Sequence, residues 1–189
     1  MAEGRYFFAL WPDERVRRRM AKVAQAAGAK GRVHHPEDIH LTLVFLGQVA
    51  DERQRCISEV ADGIRGKAFE MRIDCTGYWP RPRIIWAGPS ETPEPLSQLV
   101  FDLQNGLAGC GFEPERRRYK PHVTLYRKAA RSAAGAVDPP IAWPVSEFVL
   151  AVSGGGAPDG PRYRVVRRWP LAAAGADSED GGAGPHPTP

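Results

Sequence analysis

The sequence has few cysteines and no long apolar runs, and both shortages exclude classes of protein. Its three cysteines, Cys56, Cys75 and Cys110, lie far apart and form no Cys-x-x-Cys spacing. An odd count without close spacing argues against a disulfide framework and against a zinc ribbon. The first apolar stretch, residues 6–11, stops at Pro12 and is too short for a signal-peptide core or a membrane span. We therefore expect a soluble, reduced, cytoplasmic protein with no membrane partner.

Composition divides the chain into a basic body and an acidic tail. The 189 residues suffice for one ordinary domain, and 42% hydrophobic residues provide a core. Residues 172–189 contain three acids and no Lys or Arg, so residues 1–171 carry 26 basic against 19 acidic side chains, a net +7. This excess suggests an anionic partner such as nucleic acid, nucleotide or lipid headgroups. We predict one domain over residues 1–171 and a disordered tail rich in Gly, Ala and Pro over residues 172–189.

Hydrophobic periodicity predicts strands that alternate with helices. The strand patterns cover residues 5–10, 39–47, 69–75, 83–88, 121–126, 147–153 and 163–169. The first predicted helix begins near Pro12 and ends at Gly28. The second begins at Asp51, which we predict to be its cap, and ends at Gly66. The third covers residues 93–108 and stops at Gly109. Two further segments are expected to be irregular: a loop over residues 129–140, and a turn at residues 154–156.

The pattern His-x-Thr-x occurs twice, at residues 40–43 and 122–125, 82 residues apart. Each copy lies in a predicted strand that follows a predicted helix. Side chains alternate along a strand, so His40 and Thr42 project to one face, as do His122 and Thr124, while the aliphatic residues project to the other. If the two halves of the chain pack about a pseudo-twofold axis, the two pairs meet across a cleft.

This arrangement suits displacement at a phosphodiester. The reaction needs a base for the attacking hydroxyl or water and an acid for the leaving oxygen. Histidine, with an ordinary pKa near 6.5, can serve as either at working pH. Two threonine hydroxyls can donate hydrogen bonds to the non-bridging phosphate oxygens, and nearby basic residues offset the developing charge. The expected chemistry needs no metal and no cofactor.

The motifs also carry a family resemblance. Residues 5–10, the first motif running into Phe45-Leu46-Gly47, residues 83–88 and residues 121–127 resemble the two-histidine phosphoesterases. They are most similar to the LigT-like RNA 2′,3′-cyclic phosphodiesterases, once described as 2′-5′ RNA ligases. The resemblance covers roughly residues 5–171. It implies a bilobal α+β fold in which two antiparallel sheets flank a cleft and the helices lie outside.

The resemblance implies a specific reaction and specific roles. The reaction is hydrolysis of an RNA terminal 2′,3′-cyclic phosphate to a 2′-phosphate, with 2′-5′ joining as its reverse. His40 would be the proton donor, His122 the proton acceptor, and Arg127 a contact of the phosphate, beside the substrate-binding hydroxyls of Thr42 and Thr124. The implied partners are RNA with a cyclic phosphate end, tRNA fragments included, or cyclic nucleotides, and the implied state is a monomer.

Two alternative functions stay open. One is a phosphodiesterase for small cyclic nucleotides or ADP-ribose cyclic phosphate, and the other is a non-catalytic module that binds RNA ends. Both histidines and both threonines are intact, which favours an enzyme, because binding alone needs no acid–base pair.

Three other features have two interpretations each. His34 and His35 near Asp38 suggest either a metal site or a loop, and their spacing favours the loop. The basic segment at residues 116–120 is either a solvated loop or an RNA contact in which a base stacks on its tyrosine. Tyr78, Trp79 and Trp86 could stack bases or belong to the core, and we assign Trp86 to the core.

Overall fold

The structure of the protein, a computed structural model, describes residues 4–130, 134–154 and 160–173. In this part of the chain the strands are β1 (Arg5–Leu10), β2 (Arg32–Val33), β3 (Leu41–Gln48), β4 (Phe69–Trp79), β5 (Ile84–Gly88), β6 (Val123–Arg127), β7 (Gly135–Val145), β8 (Glu147–Ser153) and β9 (Tyr163–Pro170). The helices are α1 (Glu14–Ala27), α2 (Asp51–Gly63) and α3 (Glu94–Ala108). A short 3₁₀ turn, Pro36–Asp38, lies between β2 and β3.

The strands form one hydrogen-bonded path in the order β7-β4-β5-β6-β3-β1-β8-β9, with β2 paired to β6. The pairing is antiparallel, and the path has a seam where β3 and β6 meet in register only at Leu41 and Val123. Four strands of the path lie on each side of this seam, and β2 adds a fifth strand on the β6 side, so the two expected sheets are the two halves of the path. The predicted α+β fold class is confirmed.

One face of the sheet is covered by the helices. The main core cluster combines Met20, Ile57 and Leu103 of the helices with Leu41 and Leu125 of the motif strands. These side chains are 0–1% exposed, and burying each contributes about 1.5–3 kcal/mol. The opposite face carries a smaller apolar cluster of Phe7, Ala9, Val149 and Ala151, beside which the polar side chains of the motifs lie.

Both ends of α1 follow local sequence signals, whereas the start of α2 does not. The Asp13 carboxylate accepts a hydrogen bond from the backbone N–H of Val16 (2.8 Å) and caps α1, which ends at Gly28 in the left-handed region (φ 52°). The prediction that Asp51 caps α2 is wrong. Ala50, with extended backbone, is the capping residue, and Asp51 is already helical.

The predicted loop over residues 129–140 is also wrong in part, because β7 begins at Gly135. β7 pairs with β4, which runs past the predicted end at residue 75 as far as Trp79. Pro139 and Pro140 obscured this strand in the sequence. Proline lacks the backbone N–H that a central strand would need. It is tolerated in β7 because β7 is an edge strand, with no neighbouring strand on one side.

A disulfide links Cys56 of α2 to Cys110, just after α3, with an S–S distance of 1.94 Å. The expectation of a reduced protein without disulfides is therefore wrong for the structure. Spacing in sequence did not reveal the pair, because the contact between α2 and α3 brings together residues 54 positions apart. Cys75 is a free thiol.

The described chain ends at residue 173. The predicted disorder of residues 174–189 lies outside the described residues, as does most of the predicted turn at residues 154–156. Ala172 donates its N–H to the Gly66 carbonyl (2.9 Å) and accepts from the Ala68 N–H (2.7 Å), so backbone pairing extends one residue past the predicted boundary. Among the described helices, none has the length and apolarity needed to cross a membrane.

Candidate active site

The two motifs lie at the starts of β3 and β6, the two strands that meet at the seam. His40 precedes β3 and His122 precedes β6, and the following residues, Leu41 and Val123, are the register pair that joins the halves. Leu41 and Val123 are fully buried. The half-buried side chains of the motifs are those of His40, Thr42, His122 and Thr124. The predicted alternation of faces is confirmed: aliphatic side chains enter the core, and imidazoles and hydroxyls lie on the other face.

Each motif histidine is held by the backbone carbonyl two residues before it. Nδ1 of His40 lies 2.6 Å from the carbonyl oxygen of Asp38, and Nδ1 of His122 lies 2.9 Å from that of Lys120. A carbonyl only accepts, so Nδ1 carries a proton in both rings. Nε2 of each ring is therefore the atom that can take up or release a proton, as general acid–base chemistry requires.

Both histidines are easier to deprotonate than usual. Burial lowers the pKa of His40 to about 4, opposed by the Asp38 carbonyl and assisted by the charges of Arg127 and His122. Burial likewise lowers the pKa of His122, again with help from Arg127. Since the charge of one ring affects the other, the two lie close together. The lowered pKa values favour the neutral rings in the free protein, and an anion bound between them would raise both pKa values.

Aromatic rings fix His40 on three sides. Trp11 stacks on it with ring centroids 5.2 Å apart, and Phe7 and Tyr163 lie 4.9 and 5.0 Å away. His122 has one such neighbour, Trp79, whose ring meets it edge-on at 4.5 Å. The imidazole of His40 therefore has less rotational freedom and less contact with solvent than that of His122.

The buried Asp38 carboxylate positions the start of β9 beside His40. Its Oδ1 accepts the backbone N–H groups of Arg162 (2.8 Å) and Tyr163 (3.1 Å). The side chain is 1% exposed, so these bonds replace its lost hydration. Asp38 thus holds Tyr163 against the His40 ring through its side chain, and holds His40 itself through its carbonyl.

Trp86 is 7% exposed, so its assignment to the core is confirmed. It faces Gly77 across β4 and β5, and a Cβ at Gly77 would lie 2.1 Å from the indole Cζ2. Only glycine leaves room for this ring. The Lys120 ammonium lies 4.5 Å from the centre of Trp86, a cation–π contact next to His122.

Arg127 lies at the end of β6, exposed, just before Lys128 at a positive φ of 55°. Its Nε donates to Nε2 of His34 at 3.3 Å. Its charge lowers the pKa of His40 and of His122, so the guanidinium is close to both motif rings. This placement brings Arg127 into the site, and its contact with phosphate stays a prediction.

The motif threonines lie on the same face as the histidines. Within residues 4–130, 134–154 and 160–173, the hydroxyls of Thr42 and Thr124 make no hydrogen bond, so both can donate to another group. The backbone carbonyl of Thr42 accepts the Tyr119 hydroxyl at 2.9 Å. Binding of substrate by either hydroxyl stays a prediction.

A cavity of about 920 Å³ lies beside His122 and is lined from both halves of the sheet. Thr42 and the 63%-exposed Phe45 of β3 face Trp79 and the segment at residues 113–120. Tyr119 packs against the core and bonds to β3, so it anchors this segment and is not a free stacking platform. The three exposed arginines of the segment are Arg116, Arg117 and Arg118.

The contacts of His35 and Asp38 favour the loop over the metal site. Nδ1 of His35 accepts from the Glu37 N–H at 3.2 Å and caps the 3₁₀ turn. The oxygens of Asp38 are bonded to backbone amides. In the described part of the chain, no three His, Cys, Asp or Glu side chains group as metal ligands would.

Sequence reasoning missed Trp11 and Tyr163 as site residues, and it named His34 without its contact with Arg127. Trp11 directly follows an aromatic strand, which is a weak signal for a position near the first motif. Tyr163 lies more than 120 residues from His40, and no local pattern joins them. His34 is paired with Arg127 only because β2 aligns with β6, where Arg32 opposes Arg127.

Comparisons with known proteins agree with this geometry. Residues 12–157 match the family model described as the 2′-5′ RNA ligase superfamily. The chain is 36% identical over 144 residues to the RNA 2′,3′-cyclic phosphodiesterase of Escherichia coli, covering 75% of this chain and 80% of that protein. It is 30% identical over 179 residues to the protein of that name from Thermotoga maritima, covering 86% and 92%.

Solved structures give the same result. The crystal structure of Escherichia coli LigT in apo form matches with a TM-score of 0.78 and 31% identity, over 91% of this chain and 99% of that one. The same protein complexed with 3′-AMP matches with a TM-score of 0.77 and 31% identity, over 89% and 98%. With its paired motifs, its α+β fold and these matches, the chain belongs to the 2′-5′ RNA ligase superfamily of LigT-like two-histidine phosphoesterases.

Proposed function

We propose that the protein is a metal-independent RNA 2′,3′-cyclic phosphodiesterase that forms a terminal 2′-phosphate. The observation that carries this proposal is the matched pair of histidines, each with Nδ1 on a carbonyl and Nε2 left for proton transfer. Relatives that carry the name of this activity support it. A module that only binds RNA ends would not need two such rings.

In the proposed reaction a water molecule attacks phosphorus and gives its proton to Nε2 of His122. The bond between phosphorus and O3′ breaks, and protonated Nε2 of His40 gives its proton to O3′. One water is consumed, and the products are a 2′-phosphomonoester and a 3′-hydroxyl. Thr42 and Thr124 donate to the non-bridging oxygens, and Arg127 offsets the developing negative charge.

RNA ends, tRNA fragments included, are the substrates that this proposal favours over ADP-ribose cyclic phosphate. The cavity of about 920 Å³ beside His122 offers Phe45 and Trp79 as surfaces for a base. The net charge of +7 over residues 1–171 suits a phosphate backbone. The proposal also includes a monomer that works in the cytoplasm.

The decisive experiment offers the purified protein an RNA with a 2′,3′-cyclic phosphate end and, in parallel, the free cyclic nucleotide. Phosphorus NMR then identifies the product, and we expect a 2′-phosphate in samples dialysed against excess EDTA. A predominant 3′-phosphate, or activity that a divalent ion restores, would contradict the proposal. Binding of the RNA end without product would indicate the non-catalytic alternative. Adding an RNA with a 5′-hydroxyl tests 2′-5′ joining.

A further inference from the structure

A second cavity, of about 350 Å³, lies beside the site on the side of Arg127. We call this cavity the arginine pocket. Its basic lining residues are Arg32, His34, Arg127 and Arg162. Arg32 belongs to β2, Arg127 ends β6, and Arg162 directly precedes β9. Three segments distant in sequence therefore bring guanidinium groups to one small cavity.

The positive charge of the arginine pocket is not neutralised by ion pairs. Among the described residues, none of its three guanidinium groups forms a salt bridge with a carboxylate. The acid that lines the cavity is Asp38, and its oxygens already accept backbone N–H groups. All three arginines lower the pKa of His34, so all three lie near its ring. The cavity therefore concentrates positive charge that an anion can match.

His34 adds a buried N–H group that lacks an acceptor. Burial first, and then the charges around it, lower the pKa of His34 to about 3, so the ring is neutral. Its Nε2 accepts from Arg127, which places the proton on Nδ1. Nδ1 is buried, and within the described chain it has no hydrogen-bond partner. A buried donor of this kind is costly unless a ligand or water supplies an acceptor.

The arginine pocket continues directly from the proposed catalytic site. It shares Arg127 with that site, and the ring centroids of His34 and His40 are 6.5 Å apart. We propose that the arginine pocket binds a second phosphate group, the phosphodiester on the 5′ side of the terminal nucleotide. This inference rests on the proposed function, which places the cyclic phosphate between the motif histidines. In this inference, Arg32 and Arg162 are the residues that make the protein prefer RNA ends to nucleoside cyclic phosphates as substrates.

The larger cavity beside His122 is the rival route for the RNA chain. It also contains arginines, but Glu113 and Glu115 line it as well, and Arg117 lies 3.9 Å from Glu115. Its aromatic residues, Phe45 and Trp79, suit a base more than a phosphate. The uncompensated guanidinium groups therefore favour the arginine pocket for the phosphate.

The test compares two product-like ligands by calorimetric titration: adenosine 2′-monophosphate and adenosine 2′,5′-bisphosphate. We expect the wild-type protein to bind the bisphosphate about tenfold more tightly, as charge-assisted hydrogen bonds to a second phosphate would give. Arg32→Ala and Arg162→Ala should each lower this ratio about threefold, and the double variant should bring it near one. Arg15→Ala, which removes an exposed charge on α1, is the matched control and should keep the wild-type ratio.

A wild-type ratio near one, or a ratio that survives in the double variant, would overturn the inference. A ratio that is lost only in an Arg116→Ala/Arg117→Ala variant would also overturn it, because the second phosphate would then lie in the larger cavity. Binding does not require turnover. A protein that hydrolyses no cyclic phosphate yet keeps the expected ratios would refute the proposed function alone, so the two failures are distinguishable.

Discussion

At the scale of single residues, the two motif histidines have the same backbone contact but different surroundings. His40 is enclosed by Phe7, Trp11 and Tyr163, whereas His122 lines the large cavity. Water that enters through this cavity meets His122 first. The difference in access therefore favours His122 as the base that activates water and His40 as the acid at the leaving oxygen.

The assignment of roles can be tested through the leaving group. His40→Ala and His122→Ala should each lower kcat/KM on a cyclic phosphate about a hundredfold or more, the usual loss for an acid–base group. The double variant should lose less than the product of the two, because the rings act as a unit. On a diester with a nitrophenol leaving group, which departs without a proton, His40→Ala should recover much of its deficit and His122→Ala should not.

Rescue of His122→Ala instead of His40→Ala on that substrate would exchange the roles. Equal losses on both substrates would show that the histidines position the phosphate without transferring protons. Circular dichroism of each variant serves as the folding control.

The lowered pKa values predict the pH dependence of the reaction. A neutral base and a protonated acid give a bell-shaped kcat/KM, whose limbs belong to the coupled pair. The pKa of His40 is about 4 and that of His122 is also lowered, so the maximum should lie below pH 6.5. The kcat profile should lie at higher pH, because bound phosphate favours both imidazolium forms.

Arg127→Ala supplies the control for this pH profile. Its charge lowers both pKa values, so its removal should move the kcat/KM maximum to higher pH, and the loss of the proposed phosphate contact should lower the rate. A maximum that stays in place would mean that Arg127 does not set the protonation of the pair.

At the scale of elements, the Cys56–Cys110 disulfide ties α2 to α3 and closes a long loop, with a sequence separation of 54 residues. Reduction should lower the free energy of unfolding by about 2–4 kcal/mol. For a chain of this length, that corresponds to a fall in Tm of about 5–15 °C. Differential scanning calorimetry with and without dithiothreitol measures the effect.

The matched variants separate the disulfide from other effects of the reductant. A Cys56→Ser/Cys110→Ser protein should have a low Tm that dithiothreitol does not change, whereas Cys75→Ser should respond like wild type. An unchanged Tm on reduction of the wild type would refute the stabilising role. Alkylation in lysates prepared in the presence of the alkylating reagent shows whether the disulfide forms in cells, and protection of both cysteines is the result that the structure predicts.

The elements that the sequence predicted well are those with strong periodic signals. α1 follows from its apolar spacing and from the Asp13 and Gly28 signals, and β3 and β6 follow from strict alternation. The sequence did not predict β7, because its prolines disfavour a strand locally. Pairing with β4 at the edge of the sheet stabilises it nevertheless. Local propensity could not predict it, since the deciding contacts come from residues about 70 positions away.

At the scale of the whole molecule, the site lies where the two half-sheets meet. The Leu41–Val123 pair joins β3 to β6 in register, so His40 and Thr42 flank one member of the pair and His122 and Thr124 flank the other. Sequence repetition predicted that the two motifs would meet. It could not predict the contacts of Trp11, His34 and Tyr163, because these depend on the packing of β1, β2 and β9, which carry no motif.

Truncation tests how much of the chain the fold requires. A protein that ends at Ala173 should keep the wild-type Tm and kcat/KM, because residues 174–189 contain almost no large apolar side chains to bury. It should bind RNA slightly more tightly at low salt, since its net charge rises from +4 to +7 with the loss of three acids.

A chain that ends at Pro170 is the matched control. It loses Leu171, which is 8% exposed, and the Ala172 bonds to Gly66 and Ala68, so its Tm should fall by several degrees. Equal Tm losses in both truncations would show that the acidic tail contributes to the fold.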